Sequence, residues 1–372
     1  MYRNSEGVLS DASGDLVIKP CTQAEVSFYE LANAEHEDLA FYMPRFMGTL
    51  QLGNQTPATV APPVSAEGAS APTAVVADAQ VIGSTATHAP SSSVPGTAAT
   101  LPISDLGPLK GKKLDTDLHI VLENVSAGFT QPNILDLKLG ARLWDDNSKV
   151  EKRERLDKVA AETTSGSLGF RIAGMRVWQG DKSADPLVEQ LDDVVASANK
   201  VTAGGEDKYW KVEEGTNHKS FNKFYGRQFN ASNVIEGFRE YFLVPSAGIS
   251  EDHARIVLWN FLNEVKDVEK ILLSKESRMY SASLLFVYEG NPDAFKTSLD
   301  AIENAPEPKA GDEGDEDVED EDEEARPKIH AVKLIDFAHA SFKEDIGPDE
   351  NMLAGVRSTI RVLELLLKEI SA

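Results

Sequence analysis

Pro132-Asn133-Ile134-Leu135-Asp136-Leu137-Lys138-Leu139-Gly140 is the stretch on which the reading of this chain turns. Apolar and polar residues alternate from Leu135 to Leu139, and a period of two predicts a strand. Leu135, Leu137 and Leu139 then share one face, while Asp136 and Lys138 share the other, about 7 Å apart along the backbone. Packing alone does not select an acid and a base fixed side by side on a sheet face. That pair marks a candidate site.

Working outward, other strands end in charge. Asp15-Leu16-Val17-Ile18-Lys19-Pro20 reads as a short strand closed by a proline, and Thr22-Gln23-Ala24-Glu25 then fits a capping box opening a helix that carries Val26, Tyr29 and Leu31 inward. Leu118–Leu122, Phe170–Trp178, Ser283–Tyr288 and Val332–Ile335 read as further strands. Lys149–Ala161, Pro186–Val201, Ala254–Leu273 and Val356–Ile370 carry helical spacing. Strands and helices mix without strict alternation, which predicts an α+β fold.

Residues 54–104 hold seven prolines and no Lys, Arg, Phe, Tyr or Trp, too little apolar bulk to offset ordering entropy, and read as a disordered insert. Residues 303–326 read as a second, acidic insert, with 11 acids between Asp312 and Glu324. The net charge of −24 excludes a general basic footprint for nucleic acid, so an anionic ligand needs a local positive pocket. One cysteine, Cys21, excludes a disulfide framework and points to a reducing compartment. No apolar run is long enough to span a membrane.

Lys19, the Asp136/Lys138 pair and Asp336, at the end of Val332-Lys333-Leu334-Ile335-Asp336, form a parts list for phosphoryl transfer. A lysine neutralises nucleotide phosphates, one carboxylate holds Mg2+, and a second positions or deprotonates the attacking hydroxyl. No P-loop, H-R-D or D-F-G motif occurs, so an ordinary protein kinase is excluded. The histidines His36, His88, His119, His218, His253 and His330 show no metal-binding spacing, and Tyr225-Gly226-Arg227 with Phe221, Phe224 and Phe229 read as core.

The 132–140 stretch matches the P-x-x-x-D-x-K-x-G signature of the inositol polyphosphate kinase family. Ile18-Lys19-Pro20, Ser283-Leu284-Leu285 with Tyr288-Glu289, and Ile335-Asp336-Phe337-Ala338 agree with it in order. Ser165-Gly166-Ser167-Leu168-Gly169-Phe170-Arg171-Ile172-Ala173-Gly174-Met175 most resembles the multikinase branch, and the two inserts resemble its fungal members. The resemblance implies a bilobal, remotely protein-kinase-like fold. Its small β-rich N-lobe comprises residues 1–53 and 105–130, the latter including the hinge, and its larger mixed C-lobe comprises 131–372.

It further implies ATP and Mg2+ as cofactors. Lys19 would bind ATP phosphates, the Glu123 carbonyl and Val125 amide the adenine edge, and Asp136 the ribose and reacting region. Lys138 would contact the inositol phosphate, Asp336 the magnesium ion and His339 a substrate phosphate. Ser283 is a weaker metal candidate, because the family's preceding serine is Ala282 here. The helix near 149–161 lies where the family binds inositol phosphate, with Lys152 and Arg155 as substrate contacts. The same segment offers the i,i+4 pairs Glu151–Arg155, Arg153–Asp157 and Glu154–Lys158 that a solvated helix carries. Gly140 is read as needing only small size.

The implied activity is ATP-dependent phosphorylation of inositol 1,4,5-trisphosphate and the tetrakisphosphate towards the pentakisphosphate. The rivals are an inositol hexakisphosphate kinase and a transcription-linked scaffold whose acidic run binds basic proteins such as transcription factors. Soluble inositol polyphosphates and phosphoinositide headgroups are the expected partners, with no direct nucleic acid. Nucleus and cytoplasm are the expected locations, Lys110-Gly111-Lys112-Lys113 being a weak nuclear signal.

Overall fold

A sheet of four short antiparallel strands builds the N-lobe, in the order β1 (Leu9–Ser10), β2 (Leu16–Pro20), β4 (Leu118–Glu123) and β3 (Phe46–Gln51). This is a computed structural model, and it describes residues 8–51, 116–181, 208–305 and 327–372. The insert 54–104, Lys110–Lys113, the helix expected over Pro186–Val201 and the acidic run 312–324 lie outside the described residues. Ile18 and Ile120 are fully buried, and Thr22 caps α1 (Gln23–Glu35) by accepting from the Glu25 N–H at 3.3 Å. A short helix α2 (Glu37–Phe41) follows.

The C-lobe is built on a six-stranded antiparallel sheet ordered β11-β10-β5-β6-β8-β7. Its strands are β5 (Pro132–Leu139), β6 (Phe170–Trp178), β7 (Trp210–Val212), β8 (His218–Phe221), β10 (Ser283–Glu289) and β11 (His330–Ile335). A two-stranded ribbon, β9 (Ser277–Met279) with β12 (Ala340–Phe342), completes the sheets. The α+β expectation holds, and Phe170–Trp178 forms over the residues read from sequence. In β5, Leu135, Leu137 and Leu139 are fully buried while Asp136 and Lys138 are half-buried, as the alternation dictates. The helices Glu251–Ser274 and Glu350–Ile370 cover the opposite face, burying among others Val257, Phe261, Val356 and Leu366.

Backbone contacts fix the edges of the site. Gly140 has φ +87°, and a Cβ there would sit 2.4 Å from Asn351 Nδ2, so the residue answers a left-handed backbone as well as a close approach. That corrects the reading that small size alone was needed. Glu289 is buried and accepts from the N–H groups of Thr130 (2.6 Å), Gln131 (2.9 Å) and Asn291 (2.9 Å), tying the segment that enters β5 to the end of β10. Phe28 of α1 stacks on Phe337 at 4.9 Å and on Phe342 at 4.6 Å, joining the N-lobe helix to the chain just beyond β11.

Candidate active site

Between the lobes lies a cavity of about 470 Å³. Val17, Leu122, Ile134, Val287 and Ile335 give it apolar walls, and Lys19, Asp136 and Asp336 stand at its polar end. Glu123, Asn124 and Val125, which link the lobes, form its edge. Among the described residues the Val125 N–H has no acceptor, leaving a backbone donor free at the rim of an apolar slot. Phe224 also lines the cavity and is 49% exposed, which overturns its reading as core. A Phe in a Phe-rich segment is ambiguous in sequence, and only Phe221 and Phe229 of the three turn inward.

Lys19 projects from β2 to contact Glu25 at 2.9 Å and Asp336 at 3.2 Å. Glu25 is buried, and its carboxylate turns to this ammonium because a charge-assisted partner outweighs a backbone N–H. The capping-box pattern accounts for Glu25 as a helix cap and not as a partner of Lys19. Its i+6 distance from Lys19, across a strand-to-helix turn, was the available signal. Burial pulls the Lys19 ammonium down, but Asp336 and Glu25 outweigh it and hold its pKa above the ordinary value.

Asp336 stands at the end of β11 with φ +69°, a left-handed backbone that a non-glycine residue adopts at some cost. Fully buried Phe337, packed on Phe28 and Tyr29, pins the chain immediately after it. The Asp336 carboxylate receives Lys19 on Oδ1 and Lys138 on Oδ2 at 3.5 Å. Desolvation pushes that carboxyl up, and the two lysines bring it down to about 2. Lys138 also donates to the Ser281 carbonyl at 2.6 Å.

Asp136 behaves in the opposite way. Burial raises its pKa above the usual carboxylate value, Lys138 partly offsets that, and Asp336 adds to the rise. Its Oδ1 and the Oγ of Ser283 are both buried and make no well-formed hydrogen bond, yet the Ser283 hydroxyl lies near enough to the carboxyl to counter part of that rise. The Ser283 Cα pairs with Lys138 on one side and Ile335 on the other. Two nearby carboxylates pushed in opposite directions are what an acid–base site requires. Among the described residues no cluster of three or more His, Cys, Asp or Glu can hold a metal. A magnesium-like ion needs only one or two carboxylates when phosphate oxygens complete its shell. Asp336 and the buried Ser283 hydroxyl fit that donor set.

On the far side of Lys138, α3 (Val150–Ala161) brings Lys152 to His339 Nε2 at 3.2 Å, and Asp145 holds His339 Nδ1 at 2.6 Å. Burial first, and the Lys152 charge second, lower the His339 pKa, against the pull of Asp145. Asp145 carried no signal in the sequence. Arg155 is exposed and bonds to none of these groups. None of the three expected i,i+4 pairs closes. Arg153 instead donates to the Ser148 carbonyl at 2.7 Å, Asp157 accepts from the Trp144 indole at 2.6 Å, and Lys158 pairs with Glu162 at 3.8 Å. Helical spacing permits such pairs without compelling them, and nearer partners won.

The inositol polyphosphate kinase family model matches residues 119–364. The chain is 28% identical over 383 residues to the inositol polyphosphate multikinase of Saccharomyces cerevisiae, covering 96% of this chain and 94% of that protein. It is 30% identical over 258 residues to the multikinase of Schizosaccharomyces pombe, 68% of this chain and 70% of that one. Human inositol hexakisphosphate kinase 3 is 28% identical over 256 residues, 66% of this chain and 50% of that protein. The fold superposes with a TM-score of 0.61 and 26% identity on the crystal structure of the S. cerevisiae multikinase Ipk2 in complex with ADP and Mn2+, covering 95% of this chain and 100% of that one. The chain belongs to the inositol polyphosphate kinase family.

Proposed function

We propose that this chain is an ATP- and divalent-metal-dependent inositol polyphosphate multikinase, phosphorylating inositol 1,4,5-trisphosphate and the tetrakisphosphate towards the pentakisphosphate. The observation that carries this is the meeting of Lys19, Asp136, Lys138 and Asp336, drawn from β2, β5 and the end of β11, at one end of an apolar slot. Near-full coverage of the S. cerevisiae multikinase favours this branch over the hexakisphosphate kinases, of which human inositol hexakisphosphate kinase 3 is matched over half its length.

Adenine would lie between Leu122, Val125, Ile134 and Val287, its edge on the Glu123 carbonyl and Val125 amide. Lys19 would meet the phosphates, Glu25 holding it extended. Asp336, with Ser283 close by, would hold the metal, which when bound neutralises phosphate charge, and Asp136 would face the ribose and the reacting region. The inositol hydroxyl attacks the γ-phosphorus as the bond to ADP breaks, and its proton passes to Asp136. A carboxylate with a raised pKa is the better acceptor. Lys138, Lys152 and His339 would receive substrate phosphates, and exposed Arg155 is at most an outer contact.

The test is a single assay with ATP, Mg2+ and a panel of inositol phosphates and phosphoinositides, with positional analysis of products. Mono-ester products from the tris- and tetrakisphosphate support the reading. Pyrophosphate products formed only from the hexakisphosphate would replace it with the rival kinase.

A further inference from the structure

One cation on the site face is left unused by the roles above. Arg171 lies on β6 directly opposite Lys138 of β5, and Ala173, two residues further along the same face, lines the cavity. Direct cross-strand partners have Cα atoms about 5 Å apart and side chains on one face of the sheet. Arg171 is half-buried, yet its side chain's only hydrogen bond among the described residues is from Nη1 to the Ser165 hydroxyl at 2.8 Å, and it forms no ion pair there. A guanidinium carries five N–H donors, so most of this fork is unspent.

The turn packed on β6 carries a second guanidinium, that of Arg227, which is exposed and not part of the core. The turn Lys223–Gly226 packs on β6 so closely that a Cβ on Gly226 would fall 1.9 Å from the Ile172 carbonyl oxygen. The same turn brings Asn222, Lys223 and Phe224 to the cavity, with Arg227 following over the Phe224 ring at 5.4 Å. Burial first, and the charge of Arg227 second, depress the Arg171 pKa to about 10, Asp136 opposing them. Arg227 also lacks an ion-pair partner among the described residues. Two neighbouring guanidiniums without a bridging carboxylate repel each other until an anion joins them, and forked donors suit phosphate oxygens.

We propose that Arg171, supported by Arg227, is a second phosphate-binding subsite for the ring substrate, on the opposite side of Lys138 from Lys152 and His339. In strand order β6 and β11 flank β5 and β10, so His339, which follows β11, and Arg171 on β6 fall on opposite flanks of Lys138. A ring with phosphates on several carbons can engage both flanks, and one with fewer phosphates engages one. Arg171 therefore favours the more highly phosphorylated substrate. The inference rests on the reading of Lys138 as a substrate contact.

The test compares Arg171→Met with wild type in both turnover and binding. KM for the tetrakisphosphate rises about tenfold, KM for the trisphosphate rises less, and KM for ATP stays within about twofold. Arg171→Lys, which retains charge and fold, recovers part of the loss. Ser165→Ala, which removes only the anchor, has a smaller effect. Unchanged tetrakisphosphate KM, or an equal rise in KM for ATP, overturns the subsite. Calorimetric titration with each inositol phosphate, without nucleotide, separates the two claims. Binding that weakens in Arg171→Met sustains the subsite even where no turnover occurs, and absent turnover then counts against the kinase reading alone. Equal binding by wild type and Arg171→Met, or none by wild type, overturns the subsite.

Discussion

Lys19 Nζ lies 3.2 Å from Asp336 Oδ1, although 317 positions separate the two residues in the chain. The contact spans the lobes, one partner on β2 and the other beyond β11, and it centres the charge of the site. Asp336 also takes Lys138, so one carboxylate balances two ammonium groups and gains a pKa of about 2.

Asp336→Asn removes that balance at nearly constant volume. The expected outcome is a loss of at least about a hundredfold in kcat, with a preserved fold, because charge neutralisation of the phosphates is the main catalytic contribution here. Steady-state kinetics beside a thermal melt checks this, and undiminished phosphorylation would end the proposed mechanism.

Glu25→Gln leaves Lys19 with one carboxylate in place of two. kcat/KM measured at varied ATP falls about tenfold, while KM for the inositol phosphate is unaffected. Kinetics with each substrate varied in turn separates positioning of Lys19 from a general loss of structure.

Gly140→Ala meets two penalties, a left-handed backbone at φ +87° and Asn351 Nδ2 at 2.4 Å from the new Cβ. Asn351 cannot swing away freely. Its Oδ1 accepts from the N–H groups of Ala141 (2.9 Å) and Arg142 (2.8 Å), and its Nδ2 donates to the Arg142 carbonyl (3.0 Å). Destabilisation of about 2 kcal/mol or more is expected in urea unfolding at unchanged m-value. Combining it with Asn351→Ala gives less than the sum of the two single losses.

His218 and His253 are buried and neutral, each with its pKa depressed from 6.5 to about 4. Burial is the first cause in both, with Arg176 second for His218, and Glu289's carbonyl opposes the shift in His253. Between those values the unfolded chain binds protons that the folded chain refuses. Their contribution is therefore complete above pH 6.5 and is lost as pH falls towards 4, about 3 kcal/mol for each. The lowered carboxyl of Asp336 acts only below its ordinary 3.8, outside this window, while the raised carboxyl of Asp136 works against the two histidines at the acid end. Urea midpoints measured from pH 7.5 to 4.5 should fall steadily, and His253→Gln should flatten the slope.

Local pattern made the strands and helices around the site legible. Alternation in 135–139 placed Asp136 and Lys138 on one face, and the ordered blocks around Lys19, Ser283 and Asp336 identified the family before any geometry was known. These follow from backbone period and side-chain type, which act between near neighbours. The chain alone did not disclose that Glu25 serves Lys19, that Asp145 orients His339, that Arg171 stands beside Lys138, or that Phe224 opens onto the cavity. Those relations join segments distant in sequence. They depend on sheet order and on which of several available charges lies nearest, and neither is set until β5, β6, β10 and β11 have paired and α1 has packed on Phe337.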